Sequence, residues 1–211
     1  MTMNDKQEYI EDIKEIRSMM ERSSRFISLS GLSGVSAGVI ALAGAVTAWW
    51  YIKNNLASMH YSMFNISSIE LKDLVFLLME AAIVLLLAIG FAIYFAVRKA
   101  RLQNLPIWNK AAELTFMSLI IPLAAGGIFC MILFYYRLYL LIAPVTLIFY
   151  GMALLNAGKY TLNEVRYLGI TEIILGLIAA TIPGYSLIFW ALGFGILHII
   201  YGSVMYFRYE R

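Results

Sequence analysis

The chain contains 211 residues, of which 62% are apolar and 14% are charged, against about 45–50% and about 25% in soluble domains. This composition excludes a soluble enzyme, a nucleic-acid-binding module and a disordered chain, and it indicates a multi-pass membrane protein. The single cysteine, Cys130, excludes a disulfide-stabilised scaffold. The formal net charge is only +3, so the position of the charges carries more information than their sum.

The N-terminal part of the chain is densely charged, and 11 of the 29 charged residues precede the first apolar run. Four apolar side chains recur there at helical spacing, which predicts an amphipathic helix over residues 4–25. They are Tyr9, Ile13, Ile16 and Met20. Two interpretations of this helix stay open. It lies against the bundle or the lipid headgroups, or it docks a cytoplasmic partner or a second protomer.

Six apolar runs follow, and a bilayer crossing needs about 20 mostly apolar residues. The runs are residues 26–52, 74–97, 111–134, 138–157, 167–182 and 186–207. The fifth is marginal, because it has only 16 residues and contains Glu172. We therefore predict an all-α fold, a six-transmembrane-helix bundle over residues 26–207. A cytoplasmic amphipathic helix in residues 1–25 precedes the bundle, and a cytoplasmic tail, residues 208–211, follows it.

The distribution of Lys and Arg predicts the orientation of this bundle. With six crossings, 13 of these residues lie on one side and only Lys53, Lys72 and Arg137 lie on the other. Because Lys and Arg are enriched in cytoplasmic loops, this bias favours six helices with both termini in the cytoplasm. With five crossings, Arg208 and Arg211 would lie outside. We expect the protein in the bacterial inner membrane.

Short similarities between the apolar runs predict an internal repeat. Residues 25–30 resemble residues 166–171 at the start of two odd-numbered runs. The even-numbered runs share a late Tyr within residues 93–95, 149–151 and 200–202. This pattern is typical of three two-helix hairpins in parallel orientation.

The last hairpin, residues 166–207, resembles the repeat of the small acid-resistance membrane protein family (HdeD-like). The resemblance lies in Leu175-Gly176-Leu177, Pro183-Gly184, Leu192-Gly193-Phe194-Gly195 and Ile200-Tyr201-Gly202. It implies a six-helix protein built from three such hairpins, but it supplies no catalytic or binding motif. The charged N-terminal segment and the long first outer loop differ from that family. The overall pattern also resembles small bacterial multi-pass membrane proteins of uncharacterised function.

Small residues in the first run predict a helix-packing face. Ser30, Gly34 and Gly38 are spaced four residues apart and lie on one side of a helix. Small side chains let two helix backbones approach closely in lipid. The face serves either packing within the bundle or a homodimer seam.

Three ionisable residues lie inside the predicted spans and are the candidate functional residues: Glu80, Glu172 and His198. A charged group in hydrocarbon is costly unless it is neutralised, paired or hydrated, so such residues mark candidate sites. The tight turn between the last two runs places Glu172 and His198 on neighbouring helices, where they can meet. Three interpretations stay open: a polar contact between helices, a proton- or ligand-responsive site, and part of a transport path.

No motif for a metal, a cofactor or a catalytic nucleophile occurs in the sequence. We therefore expect no enzymatic activity, no cofactor and no nucleic-acid partner. The expected partners are the lipid bilayer and a protein, either another chain or a second copy. The sequence favours a regulatory or accessory membrane protein that acts through protein contacts and responds to stress. The alternative is a small proton-coupled transporter or channel that uses Glu172, His198 and Glu80.

Overall fold

A computed structural model describes residues 30–56, 70–104, 106 and 108–211. Every regular element in these ranges is helical, which confirms the all-α prediction for this part of the chain. The predicted amphipathic helix over residues 4–25 lies outside the described residues, as does the start of the first apolar run.

The described residues form six helices, whose bounds differ from the predicted runs by a few residues. They are α1 Gly31–Leu56, α2 Leu71–Leu102, α3 Lys110–Tyr135, α4 Tyr139–Ala157, α5 Asn163–Thr181 and α6 Ser186–Tyr209. The last turn of α1, Ile52–Leu56, is π-helical. A second π-helical segment, Ala191–Leu197, interrupts α6.

Five of these helices are long and apolar enough to cross a membrane, and α5 is the exception. The first half of α5 contains Glu164 and Arg166, and Glu172 lies near its middle. These charged residues lower the hydropathy of α5. The corresponding fifth apolar run was already marginal in the sequence. The described residues thus fit a multi-pass membrane protein with five candidate spans.

The short connections fix neighbouring helices in antiparallel pairs. The side chain of Asn109 accepts a hydrogen bond from the backbone N–H of Ala112 and so caps the start of α3. Arg137 adopts a left-handed backbone conformation, with φ of 60°, in the three-residue connection from α3 to α4. We call the end of the bundle where α1, α3 and α5 begin the inner end, and the opposite end the outer end.

The helices are arranged with α6 near the centre. It packs against α1 on one side and against the α4–α5 pair on the other, while α2 packs on α1 and α3 packs on α4. Most of α2 and α3 is exposed and apolar, as lipid-facing helices require. The buried contacts therefore lie among α1, α4, α5 and α6.

Glycines allow α1 and α6 to approach closely. A Cβ atom on Gly202 would overlap backbone atoms of Gly31 and Val35, and one on Gly34 would lie 3.0 Å from the Cα of Gly202. A Cβ on Gly38 would lie 2.6 Å from the backbone oxygen of Gly195. In lipid, close backbone packing of this kind drives helix association. The face predicted from Ser30, Gly34 and Gly38 is therefore covered by α6 of the same chain, with Ser30 buried just before α1.

Candidate functional site

The structure brings Glu172 of α5 and His198 of α6 together inside the bundle. The imidazole Nδ1 of His198 lies 3.5 Å from Oε1 of Glu172. The Glu172 residue is 0% exposed and His198 is 5% exposed. These are the most deeply buried ionisable side chains at mid-helix in α5 and α6, and they meet where helices α4, α5 and α6 converge.

A glycine makes room for this contact. Gly193 of α6 faces the Glu172 carboxylate, and a Cβ atom there would overlap both Oε2 of Glu172 and the side chain of Leu147 on α4. Gly193 also lies in the π-helical segment of α6. Its backbone oxygen lies within hydrogen-bond distance of the imidazole Nδ1 of His198, five residues later. Single π-helical turns occur frequently at functional sites.

The hydrogen bonds of His198 determine which imidazole nitrogen carries the proton. Nδ1 lies 3.0 Å from the backbone oxygen of Gly193, and a carbonyl oxygen can only accept, so Nδ1 carries a hydrogen. In the neutral ring Nε2 is then an acceptor. The hydroxyl of Tyr150 on α4 lies 2.8 Å from Nε2 and donates to it.

Aromatic rings enclose the imidazole. The ring of Phe194 lies nearly parallel to that of His198, with centroids 5.9 Å apart. Tyr150 packs against both rings, at 5.4 Å from His198 and 4.9 Å from Phe194. Trp190 packs on Phe194 in turn, at 5.0 Å. This surrounding fixes the ring orientation of His198 and excludes water from its faces.

Glu172 lacks the donors that usually stabilise a carboxylate. Among the described residues, neither of its buried side-chain oxygens has a hydrogen-bond partner. A bare carboxylate away from water is costly, so the arrangement favours the binding of a proton. The bound proton lies either on Glu172, beside a neutral imidazole, or on His198, in an ion pair with the carboxylate. The group of Glu172, His198, Tyr150 and Gly193, called here the buried centre, can therefore hold and pass a proton.

Glu80 does not belong to the buried centre. It lies on α2 and faces α1, where its Oε1 accepts a hydrogen bond of 2.8 Å from the hydroxyl of Thr47. Gly44 adjoins the same carboxylate, since a Cβ on this residue would lie 3.3 Å from Oε1. The three candidate residues thus occupy two separate places, one at the α1–α2 contact and one among α4, α5 and α6.

The described residues offer no evident metal site. Within residues 30–56, 70–104, 106 and 108–211, no three His, Cys, Asp or Glu side chains cluster as ligands for a metal ion.

Two residues of the buried centre, Tyr150 and Gly193, were not among the predicted site residues. Tyr150 belongs to the repeated pattern of the even-numbered runs, and its position one helix away from Glu172 depends on the packing of α4. Gly193 carries no chemistry of its own and is recognisable only from the space that it leaves.

Comparisons with protein families, with curated proteins and with solved structures found no match for this chain. The resemblance of residues 166–207 to the acid-resistance repeat, and the three-hairpin repeat, stay predictions.

Proposed function

We propose that this chain is a regulatory or accessory protein of the bacterial inner membrane that acts through protein contacts and responds to protons through the buried centre. The observation that carries the proposal is Glu172, wholly buried and held 3.5 Å from His198 without a hydrogen-bond partner among the described residues. When a buried carboxyl group gains or loses a proton, the charge between its helices changes and the groups around it must rearrange. The protonation of Glu172 is therefore coupled to the packing of α5 and α6.

We also propose six membrane crossings with both termini in the cytoplasm. The arrangement of α5 supports this count, although its hydropathy is low. Arg208 near the end of α6 binds Glu164 near the start of α5, with Nη1 and Oε1 2.8 Å apart. The Lys and Arg distribution of the sequence supports the orientation.

Two inferences support the stress response. The chemistry of the buried centre suits proton binding, and the sequence of residues 166–207 predicts a relation to the repeat of an acid-resistance family. A membrane protein that changes its helix packing with proton binding can report acid conditions to a partner. The charged segment before α1 is the part of the chain that we propose for this contact.

A fluorescence titration tests the proton response. Trp190 packs on Phe194 beside His198, and the other three tryptophans, Trp49, Trp50 and Trp108, are exposed. Replacing these three with Phe leaves Trp190 as the single reporter in nanodiscs. We expect its emission to change with pH in this parent protein and to lose that change in Glu172→Gln and His198→Gln. Glu80→Gln, a matched change outside the buried centre, should keep it.

The outcomes separate the proposal from its alternative. An emission that stays constant over the pH range in the folded parent would contradict the proton response. The alternative is a proton-coupled transporter or channel, favoured by the π-helical segment beside an ionisable pair. It predicts proton flux in reconstituted vesicles that falls in Glu172→Gln, and such a flux would replace the accessory function as the leading proposal.

The protein-contact part of the proposal needs its own test. Crosslinking in cells should capture the full-length chain in a defined complex, either with a partner or with a second copy. Deletion of residues 4–25 should abolish that complex while leaving membrane insertion unchanged. A complex that persists in the deletion variant would argue against a contact through this segment.

A further inference from the structure

We propose that the buried centre exchanges protons with the inner end of the bundle, along a line of side chains formed by Tyr150, Tyr201 and Glu164. This inference rests on the proton response proposed above and adds the route and the side from which the proton arrives. It also gives a role to Tyr201 and Glu164, neither of which touches Glu172.

One face of α6 leads from the buried centre to the inner end. His198, Tyr201, Met205 and Arg208 follow each other at spacings of three, four and three residues, which places them on the same side of the helix. Met205 is 1% exposed, so this side faces the interior. The distance from His198 to Arg208 along the axis is about 15 Å at the usual helical rise.

A matching face of α5 carries two carboxyl groups. Glu164, Leu168 and Glu172 are spaced four residues apart, and all three face the interior. At the inner end, Oε1 of Glu164 accepts hydrogen bonds from Arg208 at 2.8 Å and from the hydroxyl of Tyr209 at 2.9 Å. Its Oε2 is buried and has no hydrogen-bond partner among the described residues. Glu164 therefore keeps one acceptor oxygen for a group in the interior.

Tyr201 lies between these two ends. Its ring and that of Tyr150 pack against the same apolar cluster, formed by Leu154, Val165 and Leu168. Tyr201 follows His198 by three residues on α6, and the cluster that it packs against contains Val165, the residue after Glu164 on α5. Hydroxyl groups donate and accept at once, so two tyrosines in sequence can pass a proton from Glu164 to His198.

The imidazole suits the last transfer. His198 takes a proton on Nε2 from the Tyr150 hydroxyl and releases the Nδ1 proton to Oε1 of Glu172. Tyr150 regains a proton from Tyr201, which regains one from Glu164. One proton enters the line at Glu164 and one is added at Glu172, so the intermediate groups end with the number of protons that they held at the start.

The surroundings favour the inner end over the outer end. Towards the outer end, α4 and α5 place Leu147, Gly176 and Ala179 beside the buried centre, all with little or no exposure. On the other side, α1 contributes Gly34, which adjoins the backbone oxygen of His198. Among the described residues of α4, α5 and α6, the titratable groups along this side are Tyr150, Tyr201 and Glu164. Arg208 and Tyr209 lie beyond them at the inner end, on Glu164.

A pH-jump experiment tests the route. The protein with Trp190 as its single tryptophan is mixed rapidly with acid in nanodiscs, and the rate and the amplitude of the emission change are recorded. We expect Tyr201→Phe to keep the amplitude, because its ring still packs on Leu154 and Leu168, and to lower the rate by about a hundredfold. This is the lower end of the effect of a positioned proton-transfer group. Tyr206→Phe, on the same helix but outside the line, should keep the parent rate.

Rate and amplitude distinguish the two proposals. No amplitude in the parent protein would overturn the proton response itself. A normal amplitude with a parent rate in both Tyr201→Phe and Glu164→Gln would overturn only the route. Equal slowing in Tyr206→Phe would overturn it as well, because the effect would then be general to tyrosine removal in α6.

Discussion

Two little-exposed carboxyl groups, Glu172 in the buried centre and Glu210 at the inner end, meet opposite surroundings. Glu210 lies 3.4 Å from Nζ of Lys99 and accepts hydrogen bonds from the backbone N–H of Gly31 and from the Ser30 hydroxyl. It therefore caps α1 and joins the ends of α2 and α6. Glu172 has a histidine nearby, with Nδ1 at 3.5 Å, but makes no hydrogen bond with any described residue.

The difference separates a structural carboxylate from one suited to proton binding. The donors around Glu210 include a cation and the N-terminus of a helix, both of which stabilise a negative charge. This carboxylate thus holds the inner ends of α1, α2 and α6 together. Glu172 lacks these donors, so the bundle accommodates it without requiring that it stay charged.

Loss of the Glu210 side chain should have the largest effect on stability. Glu210→Ala removes the carboxylate that accepts hydrogen bonds from Gly31 and Ser30 at the start of α1. It also removes the ion pair between this carboxylate and the nearly buried Lys99. We expect a loss of about 2 kcal/mol in the free energy of unfolding, between the values for exposed and buried pairs. Glu210→Gln, which keeps an acceptor oxygen, should lose less. Denaturant titration in mixed micelles measures both, and equal stability of all three proteins would contradict the structural role.

Filling the space at Gly193 should have an intermediate effect. In Gly193→Ala the new methyl group overlaps Glu172 and Leu147, and both side chains must move. We expect a cost of about 1–2 kcal/mol, as for other overpacked cores, together with a weaker pH response of Trp190. Gly127→Ala is the matched control, because no atom lies within 4 Å of its Cβ position. If Gly193→Ala and Gly127→Ala were equally stable, the close packing at Gly193 would be refuted.

Removal of the Glu172 charge should have the smallest effect on stability. An amide has nearly the shape of the carboxyl group, and no described donor depends on the carboxylate, so Glu172→Gln should change the free energy of unfolding by less than about 1 kcal/mol. The same titration measures it. A loss as large as that of Glu210→Ala would mean that the Glu172 charge is structural, and the proton-holding role would be wrong.

Much of the architecture follows from the sequence, because a bilayer demands long apolar helices and leaves few alternatives. The runs at 74–97 and 111–134 correspond to α2 and α3. These two helices were predictable because most of their side chains are apolar. The fifth run is different. Its helix starts at Asn163, four residues before the run, because the polar first turn is stabilised by contacts such as Glu164 with Arg208.

The chemistry of the candidate site was only partly predictable. Glu172 and His198 stand out because ionisable groups are rare in apolar runs, and a tight turn brings their helices together. Tyr150 lies 48 residues from His198 along the chain, and only the packing of α4 against α6 brings it to Nε2. The π-helical segment leaves no periodic signal in an all-apolar stretch. The contacts of Glu210 with Lys99 and Gly31 depend on where the ends of α1, α2 and α6 meet. The composition of the chain does not determine this position.

The π-helical segment of α6 has a consequence for insertions and deletions in this gene. An α-helix turns by about 100° for each residue, and the wider turn at Ala191–Leu197 accommodates an extra residue. Deleting one residue there would restore the regular ladder and leave His198 facing Glu172, whereas deleting one in the α-helical turns on either side would rotate the rest of α6 by about 100°. In related genes, a one-codon difference should therefore be tolerated across this segment and not in the turns beside it.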